Sequence, residues 1–385
     1  MARSWLVGFA AAAVWMMLPV TAEAQSEKPG MLVYIGTYNG PKSEGIYFAR
    51  MDPQTGALGK PELACKADRA SFLAIHPNRK FLYAVSEVGE PPQRTGMVVA
   101  HAIDASTGKL TPLNSQPSGG RGPCHVSVDH DGRNVLVANY GGGSVSVIPI
   151  GADGKLQEPT AFIQHSGSGP DPKRQDKPHA HSFNVSPDNR FAFAADLGLD
   201  KVMIYSFDAA SGTLAAHDPP FATVPAGGGP RHFTFHPNKK FAYVINEMGN
   251  SVTAYAYDAD KGALNEIQTI PTLPEGFSGN NTTAEVLVHP SGKFLYGSNR
   301  GHDSIAVFAI DESTGKLAAK GQTPSGGKTP RNFGIDPSGK FLIAAHQNTD
   351  NLAVFKIDQE TGAITPTGAT AEVGSPVCVK FLNPN

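Results

Sequence analysis

Apolar and polar residues alternate with period two down almost the whole chain, in runs of five or six residues that stop at Gly, Pro, Asn or Asp. HPNRKFLYAV, SPDNRFAFAA, HPNKKFAYVI, HPSGKFLYGS and DPSGKFLIAA are the clearest examples. Each opens on a turn and continues as a half-buried strand. No stretch carries the 3.6-residue period of a helix, so the pattern predicts an all-β protein.

The strands belong to a repeat. An acidic residue, a variable stretch, Gly, one residue and then Leu or Ile recur as DPQTGAL, DASTGKL, ADGKL, DAASGTL, DADKGAL, DESTGKL and DQETGAI, ending at Leu58, Leu110, Leu156, Leu214, Leu264, Leu317 and Ile364. A glycine at a fixed place in a tight hairpin is expected to take positive φ. Successive copies lie between 46 residues (Leu110 to Leu156) and 58 residues (Leu156 to Leu214) apart, the length of one four-stranded propeller blade. A second marker, the turn before an apolar strand, is anchored at Pro77, His130, Pro187, Pro237, Pro290, Pro337 and Pro384. The last copy, VCVKFLNPN, stops before a partner hairpin, and MLVYIGTY and GIYFARMD near the other terminus lack an inner strand. The sequence therefore predicts a seven-bladed β-propeller whose last blade is closed by N- and C-terminal strands, a closure that removes exposed sheet edges.

Residues 1–24 differ in kind. Arg3, an apolar run from Trp5 to Val20 and Ala22-Glu23-Ala24 before Gln25 read as a cleaved secretory signal, leaving 25–385 as one propeller domain in the periplasm or outside the cell. The run is broken by Gly8 and Pro19 and falls short of a bilayer span, which argues against a stable membrane anchor. The formal net charge is -2 with scattered lysines, which excludes nucleic acid as an expected partner. Cys65, Cys124 and Cys378 are odd in number. Blade spacing predicts no intramolecular disulfide among them.

Aligning the repeats on their anchors puts two sets of residues at one rim of the channel. Ser71, Cys124, His181, Arg231, Ala284, Arg331 and Cys378 start the inner strands, with His125, His232, Glu285 and Asn332 one position later. Tyr38, Glu87, Tyr140, Leu197, Glu247, Arg300 and Gln347 end the second strands. Histidines, arginines and acids from different blades thus converge where a purely structural strand end would tolerate any small residue. His76, His236 and His289, before the anchor prolines at the other end, read as turn residues. The GGG runs at 141–143 and 227–229 open no helix and are loop turns, not phosphate loops. His125, His179, His181, His232 and Glu285 are of metal-ligand type, but their spacing matches no zinc or calcium signature and arginines surround them, so neither metal nor cofactor is expected. The longest inter-repeat segment, HSGSGPDPKRQDKPHAH (165–181), carries Lys173, Arg174 and Lys177 and is expected to lie near the mouth and help capture an anion.

Four segments, PHAHSFNVSPD, GPRHFTFHPNKKFAYVINE, AEVLVHPSGKFLYGSNRGHDSIAVF and TPRNFGIDPSGKFLIAAHQ, resemble the bacterial 6-phosphogluconolactonase family of seven-bladed propellers, relatives of fungal carboxymuconate lactonizing enzymes. The resemblance implies lactone hydrolysis on an anionic sugar lactone or sugar acid, with catalysis and substrate contact at His181, Arg231, Glu247 and Arg300 and a further anion contact at Arg331. His125, His179, His232, Glu285, Tyr140 and Asn332 join Arg331 as expected substrate-binding residues. No GxSxG elbow is present, so a water activated by Glu247 or His181, with Arg231 and Arg300 polarising the carbonyl, is the expected chemistry. Two other readings fit the same rim: a non-enzymatic binding platform, and cycloisomerisation of a muconate-type dicarboxylate.

Overall fold

The computed structural model describes residues 1–2, 4–5, 30–88 and 95–382. The expected leader, residues 1–24, lies largely outside the described residues, as does the anchor Pro384. Among the described residues twenty-eight strands form seven four-stranded antiparallel sheets. Six sheets are contiguous in sequence, at 73–117, 123–164, 180–223, 230–271, 282–324 and 330–372. The seventh is ordered with the C-terminal strand Pro376–Leu382 innermost, followed by Met31–Thr37, Gly45–Met51 and Glu62–Lys66. This is the predicted closure: the last strand pairs with the first, Leu32 with Leu382 through Gly36 with Cys378.

Apolar faces of neighbouring blades meet in the gaps between sheets. Phe193 and Ala195 of one blade pack with Phe233, Ala242 and Val244 of the next. The repeated turn glycine serves both its own hairpin and this interface. All seven, from Gly56 to Gly362, have φ between 60° and 81°. At Gly315 a Cβ would also stand 2.4 Å from the Phe241 ring of the preceding blade. Glycine is required there by conformation and by space.

The anchor histidines are turn residues with an added task. His76, His236 and His289 each place Nε2 2.8 Å from the carbonyl of Gly132, Gly292 or Gly339 in the next blade. Their Nδ1 atoms accept backbone N–H groups of Asn78, Asn238 and Ser291. With the acceptor role fixed at Nδ1, the neutral ring carries its proton on Nε2 and donates across the blade boundary.

At the rim the inner strands are irregular in a repeated way. Pro230 pairs with Asn246 and His232 with Ile245, so Arg231 is an extra, bulged residue. The same two-against-one register leaves out Cys124, His181 and Arg331, and in another blade both Ala284 and Glu285. A bulge re-aims a side chain out of the ladder, which is how these positions reach the mouth. One position of the anchor-based alignment is corrected by this register. In the terminal blade the residue left out lies between Pro376 and Cys378, namely Val377, because this inner strand is one residue longer between bulge and anchor. Cys378 therefore corresponds to His232, not to Arg231. All three cysteines are free, Cys65 on the outer strand Glu62–Lys66.

Candidate active site

Glu247 is the hub of the rim. It follows the second strand Phe241–Asn246 and is 6% exposed. Three guanidinium groups close on its carboxylate: Arg174 Nη2 at 2.7 Å, Arg231 Nε at 2.9 Å and Arg300 Nη2 at 2.9 Å. Burial raises its pKa, but Arg300, Arg231 and Arg174 overcome that and hold it at about 2. Glu247 is thus a permanent anion at neutral pH and, with its oxygens shared among three cations, a weak base.

Arg231, 2% exposed, is fixed on every side. Nη1 donates to the Ala284 carbonyl at 2.8 Å and to His232 Nε2 at 3.2 Å. Its Nε faces Glu247 as an ion pair but off the line of a hydrogen bond. Burial and the nearby Arg331 and Arg300 lower the guanidinium to about 9, which leaves it charged at neutral pH.

Because arginine can only donate, His232 Nε2 must accept, and Nδ1 carries the ring proton toward Glu285 Oε1 at 3.0 Å. Glu285 also accepts from Val286 N–H at 3.0 Å and from Asn332 Nδ2. Asn332 in turn is oriented by the Val379 N–H, 2.8 Å from its Oδ1. A chain of three side chains from three blades, His232, Glu285 and Asn332, ended by a backbone N–H of a fourth, therefore sets the tautomer that supports Arg231. Glu285, His232 and Asn332, expected to bind substrate, are linked to one another behind Arg231 by these hydrogen bonds.

His181 is 4% exposed and lies edge-on to Tyr140 and His232, both with ring centroids 5.3 Å away. Its Nδ1 is 3.7 Å from Cys124 Sγ, a weak contact. Burial first, then Arg231, His232 and Arg331, push its pKa well below the ordinary imidazole value. It is neutral at pH 7. His125 and His232 are lowered likewise, by burial and by the charges around them.

Tyr140 stacks on His179 at 4.5 Å, and its hydroxyl accepts from Arg174 Nη2 at 3.3 Å. Arg331 lies over the Tyr38 ring at 5.5 Å and makes no ion pair among the described residues. Glu87 is taken up by Arg69, 3.3 Å away, and by the Ser71 hydroxyl. Setting Glu87 against Arg69, and Glu247 and Glu285 against two of Arg174, Arg231, Arg300 and Arg331, leaves two uncompensated positive charges at this rim. Such a surface concentrates anions.

Arg174 was visible in the sequence only as one of three basic residues in the long loop. The structure ties that loop down through Gln175, whose Nε2 donates to the Leu197 carbonyl at 2.8 Å and to Asp200 Oδ1 at 2.7 Å. Asp200 also accepts the N–H groups of Gly227 and Gly229, so the GGG turn helps seat the loop. Lys177 reaches the Gly141 carbonyl instead of the carboxylate. The loop does reach the mouth, and Arg174 is its contribution. Among the described residues no cluster of His, Cys, Asp or Glu is arranged to hold a metal ion.

The family profile described as "Lactonase, 7-bladed beta-propeller" matches residues 32–381. The chain belongs to this lactonase family. A 6-phosphogluconolactonase of Bacillus subtilis (strain 168) is 41% identical over 353 residues, covering 91% of this chain and 98% of the relative. A 6-phosphogluconolactonase of Pectobacterium carotovorum (strain PC1) is 35% identical and covers 78% of this chain and 83% of that protein. Among solved structures, a periplasmic gluconolactonase of Pseudomonas aeruginosa superposes with a TM-score of 0.86 at 34% identity, covering 92% of this chain and 99% of its own. The lactonase fold is the seven-bladed propeller that the repeats predict.

Proposed function

We propose that the protein hydrolyses the lactone of an anionic sugar acid at the arginine-lined mouth. The observation that carries this reading is the positive surplus around Glu247: Arg174, Arg231 and Arg300 share one carboxylate while Arg331 has none. Membership of the lactonase family and the names of the related enzymes support the reaction class.

In this reading Arg231 and Arg300 face the lactone carbonyl and stabilise the oxyanion that forms as water adds. Arg331 and Arg174 hold the substituent charge. Glu247, ionised and three times paired, is the strut that lets three cations stand together. That assigns the proton to His181, which is neutral and has no side chain engaging its Nε2 among the described residues. An anionic substrate offsets the field of Arg231 and Arg331 that depresses this imidazole, which raises its pKa toward the working range as substrate binds. Water loses a proton to His181, the tetrahedral anion collapses with cleavage of the ring C–O bond, and the proton passes to the departing alkoxide.

The leader-like residues 1–24 and the periplasmic neighbour from Pseudomonas aeruginosa support export. A pH-stat assay of the purified protein on phosphorylated and uncharged gluconolactones, corrected for spontaneous opening, tests the activity. An ultraviolet assay on muconate-type acids beside it tests cycloisomerisation. The reading predicts lactone opening with the lower KM on the charged lactone. Turnover of muconate alone would replace it, and silence on every substrate would favour a binding platform.

A further inference from the structure

The channel continues below the histidine layer. His181 and His232 meet edge to face at 5.3 Å, and His232 and His125 at 5.5 Å, so imidazoles close the passage beneath the arginine rim. On the side of the proline turns lies a cavity of about 370 Å³ whose wall includes Phe72, His125, Asn184, Glu285 and Lys380. A neighbouring space of about 310 Å³ shares Phe72, His125, Asn184 and Lys380 with it.

Three donors meet there with no acceptor among the described residues. Lys380, on the inner strand Pro376–Leu382, holds its Nζ 4.6 Å over the Phe72 ring and makes no ion pair among the described residues. The side-chain nitrogen of Asn184 is buried and has no hydrogen-bond partner. His125 Nδ1 accepts the Phe183 N–H at 3.3 Å, which leaves the proton of the neutral ring on Nε2. The one carboxylate on the wall, Glu285, already receives His232, Val286 and Asn332 and lies beyond ion-pair distance of Lys380. Buried donors of this kind are normally satisfied, and an ammonium, an amide and an imidazole N–H together call for a negative acceptor.

We propose that this cavity is a second anion site, separate from the rim, in which a small oxyanion is held by Lys380 Nζ, Asn184 Nδ2 and His125 Nε2. Its charge would sit beside His232 and Glu285, which line the same cavity and orient Arg231. The site stands whatever lactone the rim takes.

Selenate is a suitable probe because its selenium is located by anomalous diffraction. Crystals of the protein soaked in sodium selenate should show a peak within hydrogen-bond distance of Lys380 Nζ and Asn184 Nδ2, in addition to any peak at the rim arginines. Lys380→Met should abolish the channel peak and leave the rim peaks. Asn184→Leu, which removes the amide donor while keeping the cation, should weaken it and serves if the first variant fails to fold. Selenate confined to the rim, only water in the cavity at saturating selenate, or a channel peak unchanged in the folded variants would overturn the proposal.

Discussion

At the proline-turn end of the inner hairpins one contact recurs in three blades, while at the rim the same strands carry different chemistry from blade to blade. His76, His236 and His289 make one identical contact, Nε2 to a glycine carbonyl at 2.8 Å. One inner strand away the bulged positions hold Cys124, His181, Arg231, Ala284 with Glu285, Arg331 and Val377. At the rim the bulge recurs from blade to blade, and only the side chains diverge. A repeat that must close a ring keeps the contacts that set the blade angle. It is released from repetition where a bulge already takes the residue out of the ladder.

If that division is correct, rim substitutions should cost activity without much stability, and turn substitutions the reverse. The largest effect is expected at Arg231→Ala, which removes the most constrained cation of the site. A fall in kcat of about 10²- to 10³-fold, the cost of losing one oxyanion donor, should appear in steady-state kinetics with the melting curve nearly retained. Glu285→Gln comes next. A glutamine amide can donate to His232 Nδ1, which flips the ring to the Nε2–H tautomer and sets its proton against the Arg231 Nη1–H. Misplacement of a positioning group on this scale costs up to about 10²-fold in kcat, and nitrogen NMR of the imidazole should report the tautomer change.

Arg174→Ala, in a loop that touches the hub from outside, should raise KM roughly tenfold and lower kcat less, since one charge-assisted contact is worth about 1.5 kcal/mol or somewhat more. An unchanged KM would remove the loop from substrate capture. The pH response reads the rim and the histidines beneath it. His125, His181 and His232 have pKa values lowered below 6.5, so the unfolded chain binds more protons and stability should fall as pH drops below about 6.5. Glu247, lowered from 4.5 to about 2, keeps its stabilising charge until the pH falls below about 4.5 and loses it toward 2. Melting temperatures from pH 8 to 3 should therefore show the histidine decline first, with His181→Phe flattening it. The smallest effect on activity is expected at Gly315→Ala. Positive φ of 73° and the Phe241 ring 2.4 Å from the new Cβ make it cost about 1–3 kcal/mol of stability with kcat unchanged.

The turns themselves were legible in the sequence because their demands are local, whereas the contacts of His76, His236 and His289 to the next blade were not. A glycine at positive φ and a proline after a turn are dictated within a few residues, and counting them gave the number of blades and the closure. The rim was legible as a location, since antiparallel pairing keeps partner numbers nearly constant, and Arg231, Glu247 and Arg300 do meet. What local pattern could not convey was which rim residues face outward and which support others. Glu285 and Asn332 sit among site positions by number, yet their partners are His232 and a backbone N–H from another blade, 47 residues or more away. Arg174 was obscured for a related reason. Its place depends on Gln175 and Asp200 seating a loop through contacts that have no periodic signature. Cys378 shows the limit of alignment by anchor alone, because one extra residue before the anchor in the terminal strand shifts its whole register.

The central claim is that catalysis belongs to the divergent rim and stability to the repeated turns. It is tested most directly by measuring kcat for lactone opening in Arg231→Ala and Gly315→Ala side by side, each with its melting temperature. The account predicts that Arg231→Ala loses kcat about 10²-fold or more while melting near the parent, and that Gly315→Ala melts lower with the parent's kcat. Full turnover in Arg231→Ala, or equal loss of activity in both, would contradict it.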